Sequence, residues 1–270
     1  VKRALDLGIN YFDTADLYDF GSNETIVGNA IKENRENVIL ATKVGNQFEE
    51  GKSGWNWDPS KAYIKSAVKK SLQRMQTDYI DLYQLHGGTI EDNIEETIEA
   101  FEELVEEGVV RHYGISSIRP NVIKKYVQKS NIVSVMMQYS ILDRRPEEEI
   151  LGLLFDHHIS AIARGPLAKG LLTEKFPEKI KGSTYLDYTS EELANLLPLL
   201  KQRFANKSLT NVALKYSSYH PAVASVIPGA SSIEQLLENV EQMLAGPLSE
   251  EEYLWIQANT KENIYDAHRK

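Results

Sequence analysis

Four side chains able to do acid–base chemistry fall at comparable points in the first third of the chain. Asp13 lies in the run Phe12-Asp13-Thr14-Ala15, and Tyr18 follows five residues after it. Lys43 closes Ala41-Thr42-Lys43, and His86 closes Gln84-Leu85-His86. This set suits reduction of a carbonyl, which needs a hydride for carbon and a proton for oxygen. A tyrosine hydroxyl, with a pKa of about 10, still carries its proton at neutral pH. A lysine beside it favours the phenolate and makes the phenol a better acid. Asp13 would hold Lys43 and offset the cost of burying its charge. His86 would hydrogen-bond the substrate oxygen and orient it. No side chain supplies a hydride, so the set implies a nicotinamide cofactor.

Taken singly, each group has a plainer use. A strand-end lysine snorkels, an aspartate caps a turn, a loop tyrosine covers surface, and a histidine satisfies a hydrogen bond. Their arrival at successive strand ends is what favours chemistry. Near-continuous apolar runs at Ile9–Thr14, Val38–Lys43, Tyr79–Leu85, His112–Ser116, Val133–Tyr139, Ile159–Arg164 and Val223–Pro228 read as parallel strands buried on both faces. Helical patterns separate them. Asp58 and Pro59 read as an N-cap and first helical residue, followed by a stripe of Ile64, Val68, Leu72 and Met75. Ile94, Ile98, Phe101, Leu104 and Val105 form a second stripe, and Pro120 and Pro146 mark further helix starts.

Repeated β-then-α units predict a parallel sheet flanked by helices. A doubly wound sheet would carry G-x-G-x-x-G after an early strand, and the sequence has none. The expected fold is therefore an α/β chain folded as a (β/α)8 TIM-type barrel, with residues 1–270 as a single barrel domain. Its first strand and an N-terminal hairpin are expected upstream of Val1. In such a barrel, reactive groups sit at the C-terminal ends of strands.

The bulk composition agrees. At 270 residues the chain is near the size of one barrel. It contains no cysteine, which removes disulfides and cysteine metal sites. A formal charge of −9 and a pI of about 5.3 argue against nucleic acid or an anionic membrane as partner. No apolar run is long enough to span a bilayer and no signal peptide is visible, so a cytoplasmic location is expected. The acidic stretch Glu91–Glu107 reads as a solvated helix face, and His157-His158 lack the spacing of a chelating pair. Oligomeric state is not written in the pattern.

These residues resemble the aldo-keto reductases, in the bacterial type of that family. The likeness runs from Phe12-Asp13-Thr14-Ala15, Tyr18, Gly21, Glu24 and Gly28 through Leu85-His86, Gly114-Ile115-Ser116 and Gln138-Tyr139-Ser140. It continues in Gly165-Pro166-Leu167-Ala168-Lys169-Gly170-Leu171-Leu172 and closes at Val226-Ile227-Pro228-Gly229-Ala230. The resemblance implies that Tyr18 is the proton donor, Lys43 its pKa-lowering partner, Asp13 the partner of Lys43, and His86 the orienting residue. It implies that Ser116 and Gln138 hold the nicotinamide carboxamide, with Arg164 beside the ring. Gly165, Pro166, Leu167, Lys169 and Gly170 would run along the pyrophosphate. Pro228, Gly229, Ser231, Gln235, Glu238 and Asn239 would grip the adenosine end, partly through a helix N-terminus.

Three positions depart from the family pattern. Ser117 stands where many members have asparagine, and Arg164 replaces an aromatic ring, although a guanidinium plane also stacks. No basic residue occupies the Gly229–Gln235 region, where a 2′-phosphate would attract one. NADPH is the expected cofactor on family grounds, with NADH as the alternative, and a small carbonyl compound is the expected substrate. Trp55 and Trp57, in the long link from Gly45 to Asp58, are candidates for an apolar substrate wall; the plainer reading is a surface aromatic clasp. Two other functions fit parts of the pattern: a Schiff-base lyase using Lys43, and a catalytically weak cofactor-sensing protein on the same fold.

Overall fold

Each strand position read from the sequence is a strand in the computed structural model, which describes residues 1–48 and 53–269. The chain divides into two compact units, Val1–Val135 with His268–Lys270, and Met136–Ala267.

The first unit begins with a short helix α1 (Lys2–Asp6), then β1 (Tyr11–Asp13), α2 (Ser22–Ile31) and β2 (Ile39–Val44). A two-residue antiparallel hairpin follows, β3 (Asn46–Gln47) against β4 (Asn56–Trp57). After it come α3 (Lys61–Met75), β5 (Ile80–Leu85), α4 (Ile94–Glu106), β6 (Val110–Ser116) and α5 (Pro120–Lys129). Strand β1 pairs with β2, β2 with β5 and β5 with β6, all parallel and in chain order. Every residue of β5 is buried, the pattern of a strand covered on both faces. β1, at the edge within this unit, is only partly buried.

β7 (Ser134–Gln138) runs through the boundary, and the second unit continues with α6 (Ile150–Asp156) and β8 (Ser160–Arg164). The chain then forms α7 (Phe176–Lys179), α8 (Ser190–Arg203), α9 (Leu209–Ser217), β9 (Val223–Ile227), α10 (Ile233–Leu244) and α11 (Glu250–Asn259). β8 and β9 pair in parallel. β9 departs from the expected pattern, because none of its residues is fully buried.

Two local expectations need correction. α3 starts two residues later than Asp58-Pro59 suggested. Ser60 is its N-cap and accepts from the Tyr63 amide at 3.2 Å, while Asp58 Oδ1 accepts from the Ser60 amide at 3.0 Å. Asp58 thus closes a turn before the cap, a competing use of the same side chain. The acidic face of α4 is also not merely solvated. Glu103 takes Lys61 at 2.5 Å and Lys65 at 2.6 Å from α3, and Glu95 pairs with Lys129 of α5. Pro120 does open α5, whereas Pro146 sits in a short 3-10 turn ahead of α6.

α2 packs against the end of α3 at Gly28. A Cβ there would lie 2.3 Å from the Met75 carbonyl oxygen, so only glycine allows this approach. The contact carries the turn before α2, and that turn carries Tyr18.

Candidate active site

Asp13 ends β1, Lys43 is the penultimate residue of β2 and His86 directly follows β5, so parallel pairing delivers them to one edge of the first unit's sheet. Lys43 is 1% exposed, which removes the snorkelling alternative. Its ammonium pairs with Asp13 and donates to the Thr14 carbonyl at 2.8 Å. The other Asp13 oxygen accepts from Gln84 Nε2 at 3.2 Å. Burial pushes the Asp13 carboxyl above the ordinary carboxylate range, with Lys43 and Gln84 pulling it back.

Tyr18 begins a 3-10 turn in which Asp19 and Phe20 adopt left-handed backbone angles. The Tyr18 ring is 40% exposed, open to a ligand. Lys43 Nζ lies 5.0 Å from its centroid, and the His86 ring meets it edge-on at 5.7 Å. The His86 amide donates to the Val44 carbonyl at 2.7 Å, which fixes its place beside β2. The structure therefore brings all four candidate groups together.

Trp57 is held differently from Trp55. Trp55 is 54% exposed, whereas Trp57 packs over Gly45 and Gly87 and donates from Nε1 to Asp92. Ser116 ends β6 half-buried, and the neighbouring Ser117 accepts from the Arg119 amide at 3.2 Å.

The remaining cofactor candidates lie in the second unit. Gln138 ends β7 with both amide groups engaged: Oε1 accepts from Arg164 at 3.0 Å and Nε2 donates to the Tyr185 hydroxyl at 3.1 Å. Gly165, Ala168, Lys169 and Gly170 have positive φ, giving the turn Gly165–Gly170 a tight course, with Pro166 and Leu167 inside it. Gln235 Oε1 accepts from both the amide and the hydroxyl of Ser231, so those groups are partly spoken for. Glu238 accepts from Thr210 at 3.0 Å, and Asn239 donates to the Gly229 carbonyl at 3.3 Å. The chemistry of this set fits a dinucleotide. A Cβ on Gly229 would meet nothing within 4 Å, so the backbone after Pro228 and before α10 is open to a ligand.

The sequence reading missed Gln84 and Asp92. Gln84 had a signal, being a polar residue two positions before His86 on the same face of a wholly buried strand. Asp92 gave none, because its partner lies 35 residues away. Phe20 and Phe48, edge-on at 5.6 Å, form an aromatic pair beside the Tyr18 turn that was also unforeseen.

The aldo/keto reductase family model matches residues 1–259. The chain is a member of the aldo-keto reductase family and an NAD(P)H-dependent oxidoreductase, with that family's (β/α)8 barrel as its fold class. It is 63% identical over its whole length to the uncharacterized oxidoreductase YqkF of Bacillus subtilis, covering 89% of that protein. It superposes with a TM-score of 0.94 on the holo form of the aldo-keto reductase AKR11C1 from Bacillus halodurans, at 57% identity, covering all of this chain and 90% of that one. A more distant relative is the NADH-specific methylglyoxal reductase of Escherichia coli, 32% identical over 89% of this chain and 80% of that one. No helix among the described residues is long and apolar enough to cross a membrane.

Proposed function

We propose that this protein reduces small aldehydes or ketones to alcohols with NADPH, Tyr18 giving the proton to the carbonyl oxygen. One observation carries the reading: the exposed Tyr18 ring has the buried Lys43 ammonium 5.0 Å from its centroid and meets the His86 ring edge-on at 5.7 Å. The reduced nicotinamide, when bound, supplies the hydride to carbon. Lys43 favours the phenolate that Tyr18 becomes on giving up its proton. Asp13 pairs with Lys43 and holds it in place, and Gln84 keeps Asp13 aimed. His86 orients the substrate oxygen, and Trp57 offers an apolar wall near it, with Trp55 further out.

Ser116 and Gln138 are assigned to the carboxamide and Arg164 to the ring. Gly165–Gly170, with Lys169, are assigned to the pyrophosphate, and Pro228, Gly229, Ser231, Gln235, Glu238 and Asn239 to the adenosine end. A second cofactor reading, NADH, is favoured by one observation: Ser231 and Gln235 bond to each other, and residues 228–239 contain no Lys or Arg. The lyase reading is disfavoured because the Lys43 amine is buried and engaged by Asp13 and the Thr14 carbonyl, which leaves it no open approach to a carbonyl carbon. The complete cluster speaks against a cofactor sensor without turnover.

The test is Tyr18→Phe. Cofactor binding, read by fluorescence titration, should be unchanged while turnover of a test aldehyde falls about 10²–10⁴-fold. Retained turnover would remove Tyr18 from the role of donor.

A further inference from the structure

Beneath the Thr14–Tyr18 turn lies a buried group that the reduction itself does not use. Asp16, 1% exposed, donates from its amide to the Lys43 carbonyl at 3.2 Å. Two residues earlier the Thr14 carbonyl accepts from Lys43 Nζ at 2.8 Å. The turn leading to Tyr18 is thus fastened to Lys43 twice, once through its main chain and once through its ammonium. The Asp16 carboxyl points inward. Its Oδ2 lies 3.5 Å from the Tyr63 hydroxyl of α3, and its buried Oδ1 has no hydrogen-bond partner among the described residues.

The charges around it are unbalanced. Glu24 of α2, fully buried, takes Arg74 Nε of α3 at 2.6 Å and Thr42 Oγ1 of β2 at 2.6 Å. Arg74 is therefore committed to Glu24, as Lys43 is to Asp13. Tyr63 and the buried Tyr83 of β5 are the other ionisable groups facing the pair, with Asp58 acting on Tyr63. Burial and then the Glu24 charge push the Asp16 acid up to about 7; the Leu17 amide, Arg74 and Tyr63 pull it back only in part.

We propose that Asp16 is a positioning residue for Tyr18: as the neutral acid it seats the Thr14–Tyr18 turn on Lys43, and its ionisation beside Glu24 loosens that seat. The inference rests on Tyr18 being the proton donor. Two consequences follow with fixed sign. Turnover falls as pH rises through the Asp16 transition. Stability behaves alike, because the folded chain keeps a proton that the unfolded chain releases above about pH 4. This contribution is complete below about pH 4 and is lost as pH rises to about 7.

The experiment measures kcat and KM for an aromatic aldehyde at saturating NADPH, and Tm, from about pH 5.5 to about 9 in wild type, Asp16→Asn and Tyr63→Phe. In wild type kcat should fall about fivefold or more across a limb near neutrality. Asp16→Asn should abolish that limb while leaving KM within about twofold. Tyr63→Phe removes a donor that favours the carboxylate, so the limb should move to higher pH. An unchanged limb in Asp16→Asn overturns the proposal; if that variant does not fold, an unmoved limb in Tyr63→Phe does so. Tm separates this result from the fate of Tyr18. The fall in Tm with rising pH should shrink in Asp16→Asn whatever Tyr18→Phe does, and equal falls would also overturn the proposal.

Discussion

Trp57 and Asp92 are joined by a two-pronged hydrogen bond, the indole Nε1 lying 3.1 Å from each carboxylate oxygen. Asp92 also accepts from the Thr89 amide at 2.6 Å and the Thr89 hydroxyl at 2.9 Å, so its aim is set by its own turn. The indole is thereby held over Gly45 and Gly87, and Gly87 directly follows His86. The indole proposed as a substrate wall is thus fixed beside His86, the group proposed to orient the substrate.

Asp92→Ala should release the indole and leave the Thr89 amide unsatisfied, costing about 1–3 kcal/mol. The urea midpoint should fall and tryptophan emission should shift to the red. Gly45→Ala should give the same spectral change by a different route. Its Cβ would lie 2.6 Å from the Trp57 ring, at a φ of +123° that disfavours any side chain.

Lys43 and Asp13 form a nearly buried ion pair, so removing one partner strands the other. Lys43→Met or Asp13→Asn alone should cost about 3–5 kcal/mol in chemical denaturation. The double variant should cost clearly less than the sum, because no charge is left unpaired. Strict additivity would show that the two do not act as a pair.

Gly28→Ala tests the approach of α2 to α3. The added methyl would meet backbone, the Met75 carbonyl, which has no rotamer to yield. A loss of about 1–3 kcal/mol is expected, read as a lowered Tm.

Gln235→Arg should free Ser231 and place a cation beside the open backbone at Gly229. A charge-assisted contact to a 2′-phosphate should raise the preference for NADPH over NADH about tenfold or more. Titration with both cofactors gives the ratio directly.

Much of the candidate site is legible in the sequence. Strand ends are local features, so the runs that end near Asp13, Lys43 and His86 locate those groups, and the family pattern locates Tyr18. The start of α3 is not legible, since Asp58 and Ser60 are both good caps and only the hydrogen bonds to Tyr63 and Ser60 decide between them. The salt links of α4 are hidden for the same reason: Glu103 reads as solvated until Lys61 and Lys65 of another helix are set beside it.

Strand order and the reactive residue types follow from period and spacing, which act over a few residues and survive in any one-dimensional reading. The depth of Lys43, the grip of Gln84 on Asp13 and the isolation of Asp16 beside Glu24 do not. Each depends on partners about 8 to 71 residues apart in the chain, and on how much water is left between them. Tyr18 alone is an ordinary phenol in an ordinary loop; folding sets it against a buried cation.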